Sequence, residues 1–331
     1  MMPFQYVRAQ SAQEALDAYS KTPGSIFIAG GTNLLDLMKM GVETPAQLID
    51  ISRLPLKTID KYDGGLRIGA LVSNTAAANH SLVRQRYPVL SQAILSGASQ
   101  QLRNMATMAG NLLQRTRCYY FYDPSYSECN KRNPGTGCAA IHGVNRIHAI
   151  LGESSACIAT HPSDMCVALA ALEAVVQVTG TKGERGIAFS HFHRLSGTAP
   201  ELDTTLQPGE LITSIDLPAA SASERSHYLK LRDRRSYAFA LVSVAAVLDL
   251  EPDGRAREVR IALGGVAHKP WRATIAEHLL LGQTMERGLV QLAAEAELKS
   301  AKPSSGNAFK VELAKRAIVR AVMTAASKEV A

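Results

Sequence analysis

The 331-residue chain is 46% apolar and 20% charged, a balance that excludes a disordered or fibrous chain and leaves room for more than one packed core. Its net charge of +7 is dispersed, with no basic run interleaved with aromatics, which argues against nucleic-acid binding. No apolar run is long enough to span a bilayer, and Met1-Met2-Pro3-Phe4-Gln5-Tyr6 lacks the basic and apolar regions of a signal peptide, so no membrane insertion and cytoplasmic synthesis and folding are expected.

Ala12, Ala15, Leu16 and Ala18 recur at helical spacing over residues 11–20, with Ser11 placed to cap. Residues 25–29 read as an apolar strand. The turn Gly30-Gly31-Thr32-Asn33 follows, then an amphipathic helix through Leu34, Leu35, Leu37 and Met38. Strand, glycine turn and helix together aim free backbone N–H groups at an anion, and Thr32 and Asn33 add side-chain donors. Taken alone, such a turn is more often structural than functional. Residues 47–51 and 66–70 are further strands, the second preceded by the turn Asp63-Gly64-Gly65. Asn74 or Thr75 is expected to cap a short helix, and Pro88 opens another that reaches Gly97.

A second small-residue turn, Thr107-Met108-Ala109-Gly110-Asn111, lets backbone approach a ligand. Beyond it, residues 164–172 read as a helix, and residues 175–178 and 211–215 as strands, the last ending at Pro218. His191-Phe192-His193 has the form of a metal pair on a strand, but a surface turn is the simpler reading. Small polar residues 219–226 mark a domain boundary. Strands over residues 227–231, 241–250 and 259–263 precede helices beginning near Pro270, Met285 and Ala308, an α+β unit with helices laid on an antiparallel sheet. Neither a Ser/His/Asp grouping nor a paired-carboxylate motif is present. Gly-x-Gly-x-x-Gly is absent too, so NAD has no direct support.

All five cysteines fall between residues 118 and 166. Ten, eight and eighteen residues separate Cys118, Cys129, Cys138 and Cys157, unlike the tight pairs of a zinc finger. In a reducing compartment metal ligation is favoured over disulfides. Three readings stand side by side: a 4Fe-4S cluster, a structural zinc in which His142 or His148 replaces one thiol, and unligated core cysteines. Cys166 sits within an apolar helix, where a buried structural thiol is ordinary, so Cys118, Cys129, Cys138 and Cys157 are the better four.

With both glycine turns, the cysteine stretch, Pro162-Ser163-Asp164, Pro208-Gly209-Glu210-Leu211-Ile212 and Tyr228-Leu229-Lys230 in order, the chain resembles the FAD-binding medium subunits of the molybdenum hydroxylases, the xanthine and carbon monoxide dehydrogenase family. The resemblance implies an α+β fold: a two-subdomain FAD-binding domain of the PCMH, vanillyl-alcohol-oxidase-like type, followed by an α+β C-terminal domain. On this reading residues 1–60 and 61–220 are the two subdomains, and residues 226–328 the C-terminal domain. Residues 113–160 form an insertion similar to those of bacterial molybdenum-dependent aldehyde oxidoreductases and of the 4-hydroxybenzoyl-CoA reductase β subunit. That likeness favours a 4Fe-4S cluster on the four cysteines over zinc.

Carried over by position, Ala29, Gly30, Gly31, Thr32, Asn33 and Leu34 would wrap the FAD pyrophosphate, and Thr107, Gly110 and Asn111 would form the second flavin loop. Asp164 would meet the nucleotide side. Ile212 and Lys230 would lie against the isoalloxazine, with Lys230 near the pyrimidine oxygens; without the resemblance Lys230 reads as a solvated strand lysine. The implied setting is the middle subunit of a heterotrimer. A molybdenum-cofactor large subunit would oxidise an aldehyde to a carboxylic acid, and a small subunit with 2Fe-2S centres would pass electrons to FAD for delivery to an external acceptor. Reduction of an aromatic acyl-CoA and purine oxidation are the alternatives, and a non-enzymatic metal-binding docking scaffold is the rival of another class. Export to the periplasm would require a partner's twin-arginine signal.

Overall fold

The computed structural model describes residues 1–221 and 224–327. Ala222 and Ser223 of the predicted boundary, and Lys328 at the end of the predicted C-terminal domain, lie outside the described residues.

Strands Gln5–Arg8, Gln47–Asp50 and Ser25–Ile28 form a three-stranded parallel sheet with Gln47–Asp50 in the middle. That middle strand is buried at every position, as a parallel strand covered on both faces must be. Helix Ala12–Lys21 packs Ala15 and Leu16 into this core, and Ser11 caps it by accepting the Glu14 N–H.

A five-stranded antiparallel sheet follows, ordered Ile59–Tyr62, Gly65–Gly69, Leu211–Leu217, Val175–Gly180, Gly183–Ala188. Its first strand escapes sequence reading because only Ile59 is both apolar and partly buried. Asp63 and Gly64, at φ 47° and 72°, make the two-residue turn whose twist suits a hairpin. Helices Asn74–Asn79, Pro88–Ser96 and Asp164–Ala171 cover the sheet. The short helix Asn74–Asn79 is capped by Ser73, one position before the expected cap.

The third sheet is antiparallel, ordered Trp271–Arg272, Ala256–Gly264, Val242–Leu250, Glu224–Leu231. Helices Thr274–Leu280, Arg287–Glu297 and Phe309–Ala326 lie on one face with Val242, Val244, Ala246 and Leu248. The opposite face, with Tyr228, Ala245 and Val247, joins the core under helices Pro88–Ser96 and Asp164–Ala171. Strand Val242–Leu250 is therefore buried at every position but its last, Ser243 and Asp249 included, because both of its faces are covered. The helix expected near Pro270 starts only at Thr274, because Trp271 and Arg272 first pair with Leu263 and Ala262.

Between helices Met108–Leu112 and Asp164–Ala171, the cysteine-bearing stretch has one short helix, Tyr119–Tyr122, and otherwise turns. Tyr120, Phe121 and Ile158 give it a small core of its own. The C-terminal unit fastens it by backbone. Asn307 Nδ2 donates to the His148 and Ala149 carbonyls at 3.1 Å, and buried Lys310 Nζ donates to the His148 carbonyl at 2.7 Å and the Gly265 carbonyl at 2.5 Å.

Candidate functional site

The two glycine turns touch. A Cβ built on Gly30 would lie 1.9 Å from the Met105 carbonyl oxygen, so only glycine lets the first turn rest on the residues leading into the second. Gly31 adopts φ +68°. The N–H groups of Gly30, Gly31, Thr32 and Asn33 have no hydrogen-bond partner among the described residues, and the turn is partly exposed. Four successive free donors precede helix Leu34–Lys39, itself too short to hold an anion alone, and such a run of N–H groups is of the kind that can bind phosphate oxygens. Ala29 and Leu34 flank it, also partly exposed. The Asn33 side chain points elsewhere than the sequence suggests. Its Oδ1 accepts the Arg115 N–H at 2.9 Å and its Nδ2 donates to Tyr122 Oη at 3.2 Å.

The second turn is satisfied internally. Thr107 Oγ1 accepts the Gly110 N–H, and the Met108 and Ala109 N–H groups donate to Val72 and Ala70 carbonyls. Asn111 is a hub. Its Nδ2 donates to Asn74 Oδ1 at 2.7 Å, while its Oδ1 accepts from Ser163 Oγ and Gln114 Nε2, each at 2.6 Å. Of this turn's expected ligand residues only Gly110 is exposed; Asn111 serves to tie the turn to the cap of helix Asp164–Ala171.

Asp164 and Lys230 pair with each other where helix meets sheet. Lys230 Nζ lies 2.8 Å from Asp164 Oδ2, with the side chains 4% and 5% exposed, so a solvated lysine is excluded. Tyr228 Oη donates to Asp164 Oδ1 at 2.6 Å, and Lys230 Nζ also donates to the Ser96 carbonyl at 3.0 Å. Burial and the adjacent Asp164 carboxylate push the Tyr228 phenol well above its usual range, so it stays a donor. The packing of sheet against helix creates this cluster, since Asp164 begins the helix and Tyr228 and Lys230 share one face of strand Glu224–Leu231. Ile212 is 3% exposed inside the core, beside a bulge at which Gln177 pairs with Ser214 and Val178 with Ile212. Its side chain offers little free surface.

Four of the five cysteines converge. Cys118, Cys129, Cys138 and Cys157 line one cavity, with Cys129 and Cys138 paired as an isolated antiparallel bridge, whereas Cys166 lies in the main core. Backbone N–H groups of Tyr120 and Phe121 face the Cys118 sulfur, and those of Ala140, Ile141 and Ile158 face Cys138. Such N–H···S contacts stabilise thiolates and thiolate-bound metal. Burial pushes the Cys118 thiol up to about 12, while a hydrogen bond with Cys157 holds Cys138 down and leaves the shared proton on Cys157. His148 Nε2 sits 3.1 Å from Cys118 Sγ, and burial lowers this imidazole to about 4, so it is neutral. His142 is not among the residues lining the cavity. His193 is buried rather than on a surface turn; its Nε2 lies 2.8 Å from the Leu112 carbonyl, whereas His191 is exposed.

Residues 2–220 match the family described as the FAD binding domain in molybdopterin dehydrogenase. The chain belongs to this family. As a molybdopterin dehydrogenase flavoprotein it is an FAD-binding oxidoreductase subunit, and its residues 227–325 match the CO dehydrogenase flavoprotein C-terminal domain. It is 52% identical, over 96% of both chains, to the aldehyde oxidoreductase FAD-binding subunit PaoB of Escherichia coli K12. It is 27% identical to the glyceraldehyde dehydrogenase medium chain of Sulfolobus acidocaldarius, over 99% of this chain and 98% of that one. In fold it resembles a chain of reconstituted CO dehydrogenase from Oligotropha carboxidovorans, with a TM-score of 0.78 at 24% identity, covering 99% of this chain and all of that one. The free N–H groups of the first glycine turn fit the family's nucleotide.

Sequence reading misses the residues that organise these sites rather than line them. Tyr228 and Ser163 stand out only as parts of motifs and Asn74 only as a candidate cap, while Asp203 carries no local signal. Their partners lie far along the chain: Asn111, Asp164, Lys131 and Arg115.

Proposed function

We propose that this chain is the FAD-binding, electron-transferring subunit of a heterotrimeric, molybdenum-dependent aldehyde oxidoreductase, and that Cys118, Cys129, Cys138 and Cys157 hold a 4Fe-4S cluster in it. The convergence of these four thiols on one cavity ringed by backbone N–H groups carries the cluster reading. The 52% identity to an aldehyde oxidoreductase FAD-binding subunit supports the substrate class. A large molybdenum-cofactor subunit oxidises the aldehyde to the acid, and a small 2Fe-2S subunit delivers the electrons here. FAD, when bound, accepts electrons singly and releases them singly or in pairs to an external acceptor. The chain's own work is to hold the nucleotide phosphates on the first glycine turn and to keep Lys230 fixed by Asp164. Export of the assembled complex to the periplasm would rest on a partner's signal.

The test is the visible spectrum of the purified complex, with FAD, iron and acid-labile sulfide measured per chain. One FAD and a cluster's iron beyond that of the 2Fe-2S centres are expected, and Cys129→Ser should remove about four iron atoms per chain. Full iron content in the Cys129→Ser complex overturns the ligand set. Zinc in place of the extra iron overturns the cluster in favour of a thiolate–zinc site, for which His148 at 3.1 Å from Cys118 would be an available ligand.

A further inference from the structure

Lys131 follows Cys129 by two positions, lines the cysteine cavity, and has a side chain only 1% exposed. Such burial of an ammonium is unfavourable unless every donor is used and an opposite charge is near. Its Nζ donates to the Pro200 carbonyl at 2.7 Å and to Asp203 Oδ1 at 2.5 Å. Asp203 Oδ2 in turn lies 2.6 Å from Arg115 Nε, and Arg115 NH1 lies 2.5 Å from Glu43 Oε1. The carboxylate also faces His268 Nε2 at 3.5 Å, but burial lowers that imidazole to about 4 and keeps it neutral. Charges therefore alternate along Glu43, Arg115, Asp203 and Lys131. The row starts at partly exposed Glu43 and ends at Lys131, which lines the cysteine cavity and whose charge acts on the Cys157 thiol.

We propose that Lys131 is a positioning cation that sets the reduction potential of the metal centre held by the four cysteines, with Asp203 as its fixed counterweight. The proposal rests on the cluster reading above. Four thiolates around an iron–sulfur core leave an anionic centre, and each added electron makes it more so. A cation at the cavity wall, undiluted by water, stabilises the reduced form and raises the potential. The carboxylate behind it opposes that field from farther away. The two residues should act with opposite sign, which a merely structural brace would not do.

The experiment is a redox titration of the intact complex, following the electron paramagnetic resonance signal of the reduced 4Fe-4S centre. Lys131→Met should shift the midpoint down, Asp203→Asn should shift it up, and Lys131→Arg should stay close to the parent. Flavin content should be unchanged in all three. If Lys131→Met fails to retain iron, the sign of the Asp203→Asn shift decides. Shifts of the same sign, or no shift in an iron-replete Asp203→Asn complex, overturn the proposal. A parent complex without acid-labile sulfide refutes the cluster reading itself and is recognised before any variant is made.

Discussion

Lys230→Met tests the Asp164–Lys230–Tyr228 cluster most directly. The substitution keeps the buried stem and removes the ammonium, leaving the Asp164 carboxylate enclosed with Tyr228 as its one remaining named side-chain partner. The Ser96 carbonyl loses one donor but keeps Arg232 at 3.2 Å. Removing one member of a buried ion pair costs about 3–5 kcal/mol, because the other charge is stranded. For a unit of this size that corresponds to a drop in thermal midpoint on the order of 6–20 °C. Asp164→Asn removes the stranded charge, so Asp164→Asn/Lys230→Met should be less destabilised than the two single variants added together, by roughly 0.5–3 kcal/mol. Thermal unfolding of the purified parent, both single variants and the double variant measures this. Additive losses, or a midpoint for Lys230→Met within about 2 °C of the parent, would show that the pair does not hold helix and sheet together.

Two other perturbations probe separate features. Gly30→Ala places a methyl group 1.9 Å from the Met105 carbonyl oxygen and must part the two glycine turns; overpacking of this kind costs about 1–3 kcal/mol, and FAD content per chain should fall. Normal flavin loading in that variant would refute the close seating of the turns. Burial lowers the Lys310 amine to about 7, with Arg146 adding repulsion. Since the unfolded lysine holds its proton until roughly pH 10.4, the unfolded chain binds more protons between these values, and stability should rise with pH across that window. Urea unfolding of Lys310→Met should show a flatter pH dependence there, and an unchanged slope would count against a buried, proton-shedding amine.

Local chemistry made much of the fold legible. Ser11 before Ala12–Lys21 and Ser163 before Asp164–Ala171 cap helices through bonds three residues long, and the apolar runs at Ser25–Ile28 and Val242–Leu250 form strands. The grouping of Cys118, Cys129, Cys138 and Cys157 apart from Cys166 likewise followed from the polarity of their surroundings. What escaped was set by partners distant in the chain. Nothing near Asp164 announces Lys230, and nothing near Lys131 announces Asp203. His193 looks like part of a polar turn until the fold places Phe189, Phe192 and His161 around it. Edge strand Ile59–Tyr62 carries almost no apolar signature because its neighbour supplies the burial.

Asn33 gives the molecule a property that neither cofactor region has by itself. Its backbone belongs to the first glycine turn, while its amide grips Arg115 and Tyr122 at the root of the cysteine-bearing stretch. On the cluster reading proposed above, a metal that orders that stretch would also change how firmly the turn is preset for a nucleotide. Thermodynamic reciprocity then requires the converse: by whatever factor metal loading tightens flavin binding, bound flavin must tighten the hold on metal. Chelator-driven metal loss measured with and without FAD would report that shared factor directly.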